Sequence, residues 1–465
     1  MKDTPVQPPA LERKLSLGSA VSLNMMNMIG VGPFITLPLV VAAMGGSQAI
    51  LGWILGAVIA LCDGLVWAEL GAAMPEAGGS YAFLREIYGR DGAGRWLSFL
   101  YIWQLTFSAP LSIASGCIGL AQYAAYLWPV LNARILGGHI SLISLVAAAT
   151  CVFAVALLYR NMSAIARMAW IMTAGVIVTI GAVILAGATH FHPAMLAAPR
   201  GAFTLNAGFF EGLGAATLLS TYDYWGYYAV CFLGGEVRDP GRNIPRAVLW
   251  SIAIVAGLYL AMQISVLGVI PVQQMTHAGE AKLAVVAVLM QQTFGPTSAR
   301  ILALLVMWTA FASVFSLLLA YSRVPYAAAL DGNYFRIFAR VHPRHKFPDV
   351  SLIALGAVAV AFCFFSLAVV IAALVAIRIL LQYVLQQIGV IVLRVKRPDM
   401  PRPFRIWLYP VPPLAALVGF LFIVFSRHAA SRELLDALLV AASGSLIYFL
   451  RARSRNEWPF AAKRV

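Results

Sequence analysis

Residues 24–34 read Asn-Met-Met-Asn-Met-Ile-Gly-Val-Gly-Pro-Phe, an apolar run that carries its own breaker. It sits inside a segment, residues 16–44, long enough to cross the ~30 Å hydrocarbon core of a bilayer at ~1.5 Å per residue. That segment cannot be one smooth helix. Gly30 and Gly32 each weaken it by roughly 1 kcal/mol relative to alanine, and Pro33 removes a backbone donor and clashes with the preceding turn. The expected arrangement is a helix that stops near Ile29 and restarts with Pro33 in its first turn, where the missing N–H costs nothing. Freed backbone groups are costly in lipid, so such a break survives only when buried in protein or facing a watery cavity. Taken alone, the stretch reads as a Gly/Pro kink packed on a neighbour. What makes it a candidate binding site is a second interrupted span in the other half of the chain. Residues 218–228, Leu-Leu-Ser-Thr-Tyr-Asp-Tyr-Trp-Gly-Tyr-Tyr, hold Gly226 among bulky side chains and place Asp223 in mid-bilayer. Two broken helices five spans apart point to an inverted-repeat transporter with its substrate between them.

The composition agrees: 61% apolar, 11% charged and a mean hydropathy of +0.84 describe a chain whose solvent is mostly lipid. Apolar segments lie near residues 17–44, 48–69, 96–122, 140–159, 165–187, 211–236, 247–270, 299–321, 349–366, 368–393, 408–426 and 434–450. At roughly 20 residues per crossing these predict twelve spans and leave only loops and tails, with no separate soluble domain. The expected organisation is an N-terminal tail over residues 1–15, disordered and cytoplasmic, a ten-helix core over 16–393, a loop with two peripheral helices over 394–450, and a tail from 451 to 465. Orientation follows from the basic residues. Of the 33 Lys and Arg, six (Arg134, Arg200, Lys282, Arg300, Arg427, Arg432) fall on one side and Arg378 lies within a span. The other 26 fall on the side that holds both termini, which is therefore expected to be cytoplasmic. The net charge of +15 is thus a topological signal. Scattered through short loops without a stacking platform, it does not indicate nucleic-acid binding. The polar first 15 residues lack an apolar core before a small-residue cleavage site, so no cleaved signal peptide is expected there. Cys62, Cys117, Cys151, Cys231 and Cys363 all fall in spans without metal-ligand spacing, so neither disulfides nor a metal are expected, and no cofactor.

Four stretches carry a family resemblance. After the second span comes Ala-Ala-Met-Pro-Glu-Ala-Gly-Gly-Ser-Tyr (72–81), followed by Leu-Arg-Glu-Ile-Tyr-Gly (84–89). At the end of the sixth lies Gly-Gly-Glu-Val-Arg-Asp-Pro-Gly-Arg-Asn-Ile-Pro-Arg-Ala (234–247). Beyond the eighth, Ser322-Arg323-Val324-Pro325-Tyr326 leads to Asp331-Gly332 and to 339–344, and a basic, proline-rich loop occupies 396–405. In this order the four resemble the motifs of the amino acid–polyamine–organocation (APC) permease superfamily, over residues 17–425. The resemblance implies an all-α polytopic membrane protein of the leucine-transporter type, with a 5+5 inverted repeat, two further helices and broken first and sixth helices. It also implies secondary transport of an amino acid or related amine across a bacterial-type inner membrane.

The breaks suggest how a zwitterion is held. A helix restart at Gly32 or Pro33 points free N–H groups and a partial positive charge at an anion, while the helix end near Ile29 and the stretch 221–225 present carbonyls to an ammonium. The candidate substrate residues are Ile29, Gly30, Val31, Gly32 and Phe34 at the carboxylate end, with Ser220, Tyr222, Asp223, Tyr224, Trp225 and Gly226 at the amine end. Two departures from the family pattern bear on this. Gly-Pro-Phe at 32–34 looks like eukaryotic polyamine-uptake members, and Asp223 stands where the family commonly has a small residue. An intramembrane carboxylate is a functional candidate by default. Asp223 among aromatic rings is suited to hold an amine, to carry a proton, or to pair with Arg378. A polyamine or other organic cation is therefore the alternative substrate. Asp63, Ser313, Ser316 and Arg378 are the remaining coupling or gate candidates. The two serines lie where sodium-coupled relatives coordinate sodium, though serines facing a neighbouring helix usually serve packing. Protons, and sodium after them, are the candidate coupling ions. An enzyme would need a convergent catalytic set, and none of His139, His190, His192, His277, His342, His345 and His428 lies well inside a span. A sensor of the same fold would carry the same breaks.

Overall fold

The computed structural model describes residues 11–135, 140–160, 162–276, 280–365, 377–426 and 430–460; His139, His277 and His428 lie outside them. The described chain is largely helical. In chain order the elements are α1 (Leu17–Met28), α2 (Gly32–Met44), α3 (Ile50–Ala73), α4 (Ser80–Tyr88), α5 (Ala93–Leu127), α6 (Leu142–Leu158), α7 (Met162–Thr189), α8 (Ala207–Tyr224), α9 (Ala229–Phe232) and α10 (Pro240–Leu267). They continue with α11 (Val272–Thr276), α12 (Glu280–Phe294), α13 (Pro296–Tyr321), α14 (Arg323–Leu330), α15 (Asp349–Phe362), α16 (Ile379–Lys396), α17 (Val411–Phe425) and α18 (Ala430–Arg455). Side-chain caps start several of them: Ser16 accepts from the N–H of Ser19 ahead of α1, and Asn206 accepts from that of Phe209 ahead of α8.

Seven helices are long and apolar enough to cross a membrane, and α1 with α2, bent by 48° at their break, makes an eighth. Four shorter apolar helices accompany them, among them most of α12, which the sequence reading leaves as loop. The outer surface is apolar: only 22% of the apolar window of α18 is buried, and Leu438, Leu446 and Leu450 stand more than half exposed. Such a surface is an aggregation hazard in water and the normal exterior of a protein dissolved in lipid. This is a multi-pass membrane protein.

Both ends of the described chain meet the same charged face. The Leu15 N–H donates to the Glu236 carbonyl and the Arg238 N–H to the Leu15 carbonyl, each at 2.9 Å. Leu15 is fully buried, so the tail expected to run free to residue 15 is anchored before α1 begins. At the other end α18 continues to Arg455, past the boundary expected at 450, because Arg451 bonds the Asn333 carbonyl (2.9 Å) and Glu457 (3.2 Å). On the same face Arg323 forks onto Glu236 (2.9 and 3.1 Å) with both side chains 1% exposed. Arg394 pairs with Glu69, and Arg85 joins Glu76 to Asp331. Burial alone would lower the pKa of Arg85, but the surrounding carboxylates, Asp331 foremost, hold it above its ordinary value.

Candidate functional site

The two breaks lie against each other. At the first, α1 ends at Met28, the Ile29 N–H closes onto the Met25 carbonyl (2.7 Å), Gly30 bonds Met28 (3.2 Å), and α2 restarts at Gly32 with Pro33 in its first turn. At the second, α8 runs through Tyr224 and the chain unwinds over residues 225–228 before α9. The sequence reading puts that unwinding at 221–225. The structure moves it onto Gly226, whose φ is +133° and whose Cα faces the α1 backbone. A Cβ there would stand 2.7 Å from the Met28 nitrogen and 2.8 Å from the Asn27 carbonyl carbon. The helix opens where the close approach of α1 demands a residue without a side chain.

Two side chains that the sequence reading passes over take up the freed backbone groups. Asn24 donates to the Tyr227 carbonyl (2.5 Å) and accepts from the Val230 N–H (2.9 Å), standing in for the missing helical bonds of the second break. The Tyr259 hydroxyl reaches the Met28 carbonyl at 2.8 Å and the Asp223 carbonyl at 3.3 Å, one from each break. A polar side chain in an apolar span was the available signal for Asn24; a tyrosine offers none. Asn24→Ala is expected to destabilise the protein by ~1–3 kcal/mol for each buried group it orphans. That would lower the thermal unfolding midpoint of the purified protein in detergent, and an unchanged midpoint would show the clamp to be dispensable.

Between the breaks lies a cavity of about 110 Å³. Gly30, Val31 and Gly32 line it from the first break, Tyr222, Asp223, Trp225 and Tyr228 from the second. Ser112 and Gly116 of α5, Ser313 and Tyr321 of α13, and Arg378 complete much of the wall. Asp223, 3% exposed, accepts from the Thr36 hydroxyl, and its other oxygen lies against the Cα of Gly32, where any Cβ would collide with it. A carboxyl group of the protein thus lies beside the first turns of α2, bonded there through a side-chain hydroxyl. Arg378, 5% exposed, does not pair with Asp223. Its Nη2 reaches the Ser108 carbonyl (3.4 Å) and the Ser112 hydroxyl (3.3 Å), and its guanidinium faces the rings of Trp225 (5.8 Å) and Tyr321 (5.9 Å). Trp225 in turn stacks on Tyr383 at 5.0 Å.

The other sequence candidates stand outside this wall. Ile29 and Phe34 are fully buried in the apolar core, and Tyr224 packs edge-on against Trp53. The Ser220 hydroxyl donates to the Gly52 carbonyl (2.7 Å), joining α8 to α3. Asp63 accepts from the Tyr227 hydroxyl (2.5 Å) and from Gln387, bracing α3 against the second break and α16. The Ser316 hydroxyl donates to the Leu23 carbonyl at 2.8 Å, holding α13 to α1. A wider groove of about 870 Å³, lined by Arg242, Arg246, Trp250 and Trp407 among others, lies away from both breaks.

The family model for amino acid permeases matches residues 15–430. The chain belongs to that family. The permease is 31% identical over 360 residues to an uncharacterised transporter of Mycobacterium tuberculosis, an alignment covering 76% of this chain and 74% of the relative. It is 24% identical to a serine/threonine exchanger of Bacillus subtilis, over 94% of this chain and 97% of the other. To a methylthioribose transporter of the same bacterium it is 26% identical, over 96% and 95%. The family and these relatives are transporters, not enzymes.

Proposed function

We propose that this permease is a secondary transporter moving an amino acid by alternating access, with the substrate held between the breaks at 28–32 and 222–228. The observation that carries this reading is the small cavity lined by both breaks and by the buried side chains of Asp223 and Arg378. Twelve spans in a 5+5 inverted repeat plus two peripheral helices, and an inner-membrane location with both termini cytoplasmic, accompany the proposal. The meeting of both described ends at one charged face supports the common side of the termini. A relative named for serine/threonine exchange favours a small substrate. Asp223 beside Tyr222 and Trp225 favours a second reading, a polyamine or other organic cation held by charge and ring faces.

Uptake into proteoliposomes tests both. Labelled alanine, serine and leucine are offered with unlabelled arginine, lysine, putrescine and spermidine as competitors, with and without a proton or sodium gradient. Accumulation of a neutral amino acid that the polyamines do not displace is the expected result. Uptake of labelled putrescine, with no neutral amino acid carried, would replace the first reading by the second. Stimulation by one gradient names the coupling ion, and loading with unlabelled substrate in place of a gradient identifies exchange.

A further inference from the structure

We infer that the wide groove along α10 holds an anionic phospholipid, its phosphate between Arg242 and Arg246 and one acyl chain along the apolar floor. The groove lies away from both breaks, so the inference stands apart from the substrate reading. Its floor follows one face of α10. Arg242, Arg246, Leu249, Trp250 and Ala253 line it and recur at the three- and four-residue spacing of a helical stripe. From Arg242 to Ala253 the stripe runs ~16 Å at ~1.5 Å per residue. It begins charged, close in sequence to the Leu15 contact with Glu236 and Arg238, and ends apolar inside a span. That is the order of a lipid from headgroup to tail.

The opposite wall, Leu61 of α3 and the loop at 403–407, is held in place by the protein itself. Buried Glu69 accepts from the Ile406 N–H (2.8 Å) and pairs with Arg394 and Arg402, which fixes the loop. Pro403 closes on Gly241, where a Cβ would stand 3.0 Å from it. Phe404 meets Trp407 edge-on at 5.8 Å. Trp250 and Trp407 are 59% and 60% exposed, and indole rings favour the membrane–water interface.

Charge selects the headgroup. Arg242 and Arg246 are exposed and form no ion pair or side-chain hydrogen bond among the described residues. They stand four positions apart, where like charges repel, and in the first turns of α10, where the helix dipole disfavours cations. Two guanidinium forks around a phosphate offset both costs. Asp239, exposed at the charged end of the groove, leaves one net positive charge among the three groups. Phosphatidylglycerol, with a single negative charge, balances it. Phosphatidylethanolamine, with none, does not.

The test uses the full-length protein purified in neutral detergent and stripped of lipid. The probes are phosphatidylglycerol and phosphatidylethanolamine with brominated acyl chains, which quench tryptophan fluorescence on contact, and inorganic phosphate. The wild type is expected to bind phosphatidylglycerol the more tightly, read as quenching and as a raised thermal unfolding midpoint. Arg242→Gln with Arg246→Gln should weaken phosphatidylglycerol by about 30-fold and remove its advantage over phosphatidylethanolamine. Arg336→Gln with Arg344→Gln, an equal loss of charge at exposed positions of another loop, should bind as the wild type does. Trp250→Phe with Trp407→Phe should lose most of the quenching and keep the midpoint shift. All these positions are exposed, and the midpoint without lipid checks that each variant folds. Equal binding of the two lipids by the wild type, equal weakening by both arginine pairs, or quenching that survives loss of both tryptophans overturns the inference. A midpoint shift as large with inorganic phosphate would make the groove a soluble-anion site and overturn it too. None of these outcomes bears on amino acid transport.

Discussion

Gly226→Ala is expected to cut the initial rate of uptake on the order of 100-fold without removing the protein from the membrane. A φ of +133° lies where L-residues pay about 1–3 kcal/mol, and the added methyl would also press on the α1 backbone at Met28 and Asn27. Backbone cannot rotate aside as a side chain can, so the two breaks must separate and the cavity between them loses its shape. If about 3 kcal/mol falls on the substrate-bound state, two orders of magnitude follow. Gly257→Ala, in α10 with nothing within 4 Å of the new methyl, is the control and should transport normally. Wild-type rates for both variants would mean that contact between the breaks is not needed for transport.

Arg323→Met should be among the most destabilising single changes in the chain. It strips Glu236 of both arms of its fork while leaving the carboxylate 1% exposed, a loss of ~3–5 kcal/mol for breaking a buried pair. The Ser322 hydroxyl and the Leu319 carbonyl lose Arg323 as a donor as well. Changing both partners, Arg323→Met with Glu236→Met, removes the stranded charge and should recover much of the loss. The check is the thermal unfolding midpoint of wild type, each single variant and the double. A double variant less stable than both singles would show that the pair contributes more than the mutual cancellation of two charges.

What the sequence made legible was local. Gly30, Gly32 and Pro33 announce a helix end through backbone chemistry that acts within a turn, and the structure ends α1 at Met28 and restarts α2 at Gly32. Gly226 was visible for the same reason, but the limits of its break were not, because they depend on where Asn27 and Met28 of α1 pass. Pairings across the fold were harder still. The motif containing Glu236 and the one opening with Ser322-Arg323 read as separate loop signatures 87 positions apart, and only folding joins them in one ion pair. Arg378 visibly needed an anionic or carbonyl partner. Arg378 bonds the Ser108 carbonyl instead of Asp223, whose carboxyl accepts from Thr36. Ser316 and Ser220 were legible as polar groups in apolar spans, and their hydroxyls serve contacts between helices.

The hydrogen bonds that fasten Leu15 beside Glu236 and Arg238 join peptide groups alone. Such a fastening has an unusual mutational profile. Drift at positions 15, 236 or 238 can alter packing or charge, yet no ordinary side-chain exchange deletes the two hydrogen bonds. Proline is the exception, since at 15 or 238 it would remove a donor. The two hydrogen bonds ahead of α1 and α10 therefore survive every exchange but proline, even where the same exchange costs packing at Leu15 or the ion pair at Glu236.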